Sequence, residues 1–110
     1  MRLILSVLFL GSLLVSSTAV SAAEGEEVFA RLKCGMCHKP DKKAAAVSLK
    51  EIDKVYSDKD ILVKFFKGGM KPLIESDNWG MMRAQLEKIK GLPDDEKEAL
   101  ADYILSFKKE

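Results

Sequence analysis

The sequence has few of the residues from which metal cages and disulfide frameworks are usually built. Histidine occurs once, as His38, and cysteine twice, as Cys34 and Cys37. These three fall short of the about four ligands that a structural zinc site takes. A disulfide between cysteines so close in sequence would close a tiny loop and constrain little. Net charge is only +1 at pH 7, which argues against a nucleic-acid binder with a strong basic field. No stretch alternates apolar and polar residues as a strand would, and neither an internal repeat nor a low-complexity linker is evident. The longest apolar run, Leu3 to Val15, is interrupted by Ser6, Gly11 and Ser12 and is short for a bilayer core of ~30 Å.

That run instead has the form of a secretory signal. Arg2 supplies the positive start, and small residues follow from Ser16 to Ala23, so cleavage is expected after Ala22 or Ala23. Residues 1–23 are therefore read as a leader and residues 24–110 as one small exported, periplasmic-type domain. A domain of this size buries limited apolar surface by itself. In that domain basic groups predominate up to Lys71 and acidic groups beyond it, which gives a dipolar surface able to orient a partner.

Cys34-Gly35-Met36-Cys37-His38 is the stretch around which the rest is organised. C-x-x-C-H is the attachment signature of a c-type haem. Each sulfur can add to one vinyl group of the porphyrin, and the two intervening residues let both reach the same ring. The histidine that follows is carried beneath the ring, where an imidazole nitrogen can ligate iron. A thioredoxin-like dithiol would belong near a βαβ pattern, and no strand precedes Cys34. One covalent haem c, held through Cys34 and Cys37, would also supply the centre that so short a chain lacks.

The remaining patterns are helical, and the expected fold is all-α. Residues 24–34 carry acids in the first turn, Arg31 and Lys33 in the last, and Val28, Phe29 and Leu32 on one face. Ser48 and Glu51 form a capping box that starts a helix through Tyr56. Ser57 to Asp60 opens another, with Ile61, Leu62, Phe65 and Phe66 on one broad face and Gly68-Gly69 at its end. Met70 to Gly80 is expected to be loop, and Arg83 to Lys90 a turn or two of helix. Pro93 suits the first position of the last helix, whose buried stripe is Leu100, Tyr103, Ile104 and Phe107, with Lys108 and Lys109 at its end.

With His38 as one axial ligand, no second histidine is present to supply the other. Methionine is the usual partner in single-haem carriers. Met1 leaves with the leader, and Met36 lies between the two cysteines, so Met70, Met81 and Met82 remain open.

Taken together these residues resemble the class I cytochromes c, small exported monohaem proteins. Gly25 to Phe29 is similar to the family's Gly-x-x-x-aromatic first helix, and Leu100 to Tyr103 to its Leu-x-x-aromatic last helix. The resemblance implies that these two helices cross closely, the glycine admitting the neighbouring backbone. Trp79-Gly80 followed by Met82 and Gln85 is similar to the family's methionine loop, which makes Met82 the first choice of sixth ligand, Met81 the second and Met70 the third. The chain departs from the pattern in having Arg83 where proline usually follows the ligand. It also has Ala46-Val47-Ser48 where Gly-Pro often precedes the leucine that Leu49 resembles. A backbone carbonyl near Val47 is the expected acceptor for the second nitrogen of His38. Trp79 is expected to bind the cofactor by donating its indole N–H to a propionate. Apolar lining is expected from Leu49, Ile52, Phe65, Phe66, Leu86 and Ile89.

The reading that follows is a single-electron carrier between redox protein partners, not an enzyme. Lysines near the motif, Lys33, Lys39, Lys42 and Lys43, would face the partner. Two other readings are a haem subunit docked in a larger oxidoreductase and a catalytic or gas-sensing protein with an open iron.

Overall fold

The structure, a computed structural model, describes residues 22–74 and 79–107. The expected leader, except for Ala22 and Ala23, and the terminal Lys108 and Lys109 lie outside the described residues. Among the described residues five α-helices follow one another: α1 (Ala22–Arg31), α2 (Leu49–Tyr56), α3 (Lys59–Phe66), α4 (Trp79–Lys90) and α5 (Asp94–Ile104). Among the described residues there is no strand, so the all-α expectation holds.

The first helix ends earlier than its charge pattern predicts. It stops at Arg31, and Lys33 takes a left-handed backbone at φ 60°, after which Cys34–Met36 form a 3-10 turn. A left-handed residue ends an α-helix and turns the chain. Cys34 therefore opens a new turn, set off from the end of α1. The starts of α2 and α3 agree with their sequence signals. Ser48 Oγ accepts from the Glu51 N–H at 3.1 Å, and the Asp58 carboxylate accepts from the Asp60 N–H at 2.8 Å. Gly68, at φ 80°, ends the α3 segment as expected. Ile61, expected on the buried face of α3, is exposed, while Leu62, Phe65 and Phe66 are buried.

Helix α4 corrects the loop expected up to Gly80. It begins at Trp79 and includes Gly80, Met81 and Met82. Trp79, Met82, Leu86 and Ile89 repeat at helical spacing, and all four pack in or against the core. Gly80 faces open space, where an interior glycine costs only about 1 kcal/mol of helix propensity. In α5, Pro93 caps the helix and lies just before its first residue, and Phe107 lies beyond its end.

Helices α1 and α5 make the most extensive contact in the fold. Phe29 and Tyr103 pack with ring centroids 5.1 Å apart, and Arg31 pairs with Glu96 at 2.7 Å across the crossing. Helix α4, by contrast, touches the other helices little. Helices α2 and α3 also pack on α5, Lys59 of α3 pairing with Asp102 at 3.2 Å, and all five helices share a cavity.

Candidate haem site

Every helix contributes to that cavity. Phe29 comes from α1, Leu49, Ile52 and Tyr56 from α2, Leu62, Phe65 and Phe66 from α3, Trp79, Met82, Gln85 and Ile89 from α4, and Leu100 and Ile104 from α5. The cavity offers about 210 Å³ of room, and its walls are almost wholly apolar. Five of the six lining residues expected from sequence are there; Leu86 instead packs against the core from outside the cavity. Ala45, Ala46 and Val47, too small to read as core, also line it. So do Tyr56 and Gln85, whose helical register with Leu49, Ile52, Met82 and Ile89 is a signal that finds them.

The motif residues line one side. Within the turn, the Met36 N–H donates to the Lys33 carbonyl, and the Cys37 and His38 N–H groups donate to the Cys34 carbonyl. This brings Cys34, Cys37 and His38 to the same wall. Gly35 sits under Phe29: a β-carbon there would stand 3.2 Å from the ring. As a thiol, Cys34 is pushed up to about 11, chiefly by burial, with its backbone hydrogen bond working against the shift and Cys37 adding to it.

His38 is held by its Nδ1, which lies 2.8 Å from the Val47 carbonyl oxygen. A carbonyl has no proton to give, so Nδ1 is the donor and the lone pair of Nε2 is left free for a metal. This is the acceptor expected near Val47. The loop that carries it is tied back by Ala46 N–H to Cys37 O at 3.2 Å and Leu49 N–H to Lys39 O at 2.8 Å. Such ties fix the orientation and tautomer of a ligating imidazole.

Met81 and Met82 both line the cavity, but they lie on different sides of α4. Met81 is 68% exposed, whereas Met82 is half-buried against the core. Met70 packs on the core but does not line the cavity. Gln85, one turn after Met82, has a buried Oε1 with no hydrogen-bond partner among the described residues. Trp79 lines the wall with its ring 6.3 Å from that of Phe65, which also packs on Tyr56 at 5.3 Å. The Tyr56 hydroxyl accepts from the Leu73 N–H at 3.0 Å, and burial raises its phenol above the ordinary value, the Leu73 bond opposing.

The residues present suit a haem. Apolar walls match a flat macrocycle, two cysteines and an imidazole tied by its Nδ1 to Val47 line the cavity, and a thioether and an unpartnered polar atom are supplied by α4. Among the described residues, no three His, Cys, Asp or Glu side chains gather as a cage for a bare metal ion. Such a fold and site define a small all-α protein built around one covalently bound haem c. The chain belongs to the cytochrome c family, whose model matches residues 22–108. No curated protein matches the chain. Cytochromes c are typically electron carriers, and no described helix is long and apolar enough to cross a membrane.

Proposed function

We propose that this chain is an exported monohaem carrier of single electrons, with His38 and Met82 as the axial ligands. When bound, the haem supplies an iron that changes between ferric and ferrous states. The protein's own part is to hold its ligands still and keep water away. The observation that carries the reading is the Val47-tied imidazole of His38 in the same cavity wall system as the half-buried thioether of Met82. A thioether ligand and an apolar enclosure both favour the ferrous state. A fixed set of ligands also leaves little to rearrange as an electron arrives or leaves. Trp79 remains in this reading as a polar contact to the group through its indole N–H, and Gln85 as the residue that helps fix the segment carrying Met82.

Export is supported by the n-region, apolar run and small residues of 1–23. The partner is read as a redox protein with an acidic docking face. The acids of α5 are largely engaged: Glu96 by Arg31 at 2.7 Å, Asp102 and Glu98 by Lys59 at 3.2 and 3.5 Å, and Asp94 by Lys97 at 3.7 Å. Lys33, Lys42 and Lys43, close to the motif, are exposed and have no ion pair among the described residues. Lys39 does not belong with them, because its ammonium is bound to the Gly35 carbonyl.

The visible spectrum of the oxidised holoprotein tests the ligation. A weak band near the red edge, characteristic of methionine on ferric iron, is the expected result. Its absence, with ready binding of carbon monoxide, would support the open-iron reading instead. Electron-transfer rates with an acidic partner should fall as salt rises, since exposed charges are screened beyond a Debye length of about 8–10 Å.

A further inference from the structure

We propose that Lys39 sets the reduction potential of this cytochrome, by holding a fixed positive charge on the turn that carries the haem. Its ammonium donates to the Gly35 carbonyl at 3.0 Å. In a continuing helix that carbonyl, four residues earlier, would receive the backbone N–H of Lys39. The turn ends before that bond is made: the last backbone donors are Cys37 and His38, both to the Cys34 carbonyl. The side chain of Lys39 replaces its own backbone as donor, and so caps the negative end of the turn.

Three features separate this lysine from the others near the motif. It is half-buried, whereas Lys33, Lys42 and Lys43 are exposed. Its backbone is pinned as well, because its carbonyl accepts from the Leu49 N–H at 2.8 Å. No carboxylate lies within ion-pair distance of it among the described residues. It therefore presents an unpaired cation in one place, tied to Gly35, one of the two residues between the attachment cysteines. The ferric form carries one more positive charge than the ferrous form. A fixed neighbouring cation raises the energy of the ferric form and favours reduction. Partial burial makes such an interaction less sensitive to salt than one with a freely solvated lysine.

The inference rests on the reading of the chain as a His38/Met82-ligated carrier, so that reading is checked first and separately. Holoprotein is prepared for the parent, K39M, K39Q, K39R and the double variant K42Q/K43Q. The oxidised spectrum of the parent tests the ligation; potentiometric titration of all five tests Lys39. K39Q keeps a donor for the Gly35 carbonyl while removing the charge, and so carries the test if K39M does not mature with haem. K39M and K39Q should each shift the reduction equilibrium about threefold toward the ferric form, about 28 mV at 59 mV per decade for one electron. K39R should return to the parent value. K42Q/K43Q removes two charges and should shift it by less than half as much as K39Q. The proposal is overturned if K39Q leaves the potential unchanged, if K39R shifts it as far as K39Q, or if K42Q/K43Q shifts it equally.

Discussion

Gly25 lies so close to Ala99 that a β-carbon on it would stand 1.9 Å from the Ala99 carbonyl oxygen and 2.7 Å from the β-carbon of Tyr103. Neither obstacle is the free end of a side chain, so the two helices could admit a larger residue only by separating. Separation would also part Phe29 from Tyr103 and loosen Phe29 over Gly35 in the haem-attachment turn. Gly25→Leu should therefore destabilise by at least the roughly 1–3 kcal/mol typical of overpacking. A denaturant midpoint equal to that of the parent would show that the crossing does not depend on this glycine.

Ser48 governs the start of α2 one residue after the carbonyl that holds His38. Its hydroxyl accepts from Glu51 N–H, and Ser48→Ala leaves that donor without its partner. The expected loss is about 1 kcal/mol, measured by chemical denaturation of the holoprotein. Ser48→Asp, which can accept the same bond, should recover most of it. Failure of both variants to differ from the parent would mean that the cap contributes nothing.

Stability should fall in alkali above about pH 10, the ordinary value of a tyrosine phenol. Burial raises the phenols of Tyr56 and Tyr103, and Lys59 is also raised, held up by Asp102 and Glu98 against its slight burial. In each case the folded chain keeps its proton to higher pH than the unfolded chain. Folded molecules then bind more protons than unfolded ones, and the free energy of unfolding declines as pH rises. Tyr56→Phe should flatten part of that decline while costing about 1 kcal/mol at neutral pH for the lost bond from Leu73. A decline of equal steepness in the variant would remove Tyr56 from the account.

Much of this architecture could be read from short-range signals. Ser48, Asp58 and Gly68 mark helix ends by chemistry that acts within a few residues, and all three do so in the structure. The C-x-x-C-H stretch likewise implies a haem without reference to the rest of the chain. Short-range signals fail where distant parts of the chain decide. Trp79 and Gly80 have the composition of a loop, because glycine and a lone tryptophan punctuate, yet packing of Trp79 against Phe65 and of Met82 against the core carries the helix through both. Ala45 to Val47 are too small to read as core, and their role appears only when Ala46 N–H reaches Cys37 and Val47 reaches His38. Lys39 in sequence is one more surface charge. Only the path of the chain after His38 turns its ammonium toward Gly35.

The choice between Met81 and Met82 provides the last prediction. In sequence they are adjacent and equivalent in chemistry, and an irregular loop would have left either free to face the iron. A helix removes that freedom, because successive residues point about 100° apart around its axis. Met82 falls on the face shared with Gln85, Leu86 and Ile89, while Met81 is 68% exposed at the cavity edge. Gln85 adds a buried polar atom next to the same face. Met82→Ala in the holoprotein should therefore abolish the methionine–iron band, lower the potential, and open the iron to carbon monoxide. Met81→Ala should keep the band and the potential, and change stability by no more than the about 0.5 kcal/mol typical of an exposed position. Loss of the band in Met81→Ala, with retention in Met82→Ala, would reverse the assignment. Retention in both would direct the search to Met70, and α4 would then have to serve only as a wall of the cavity.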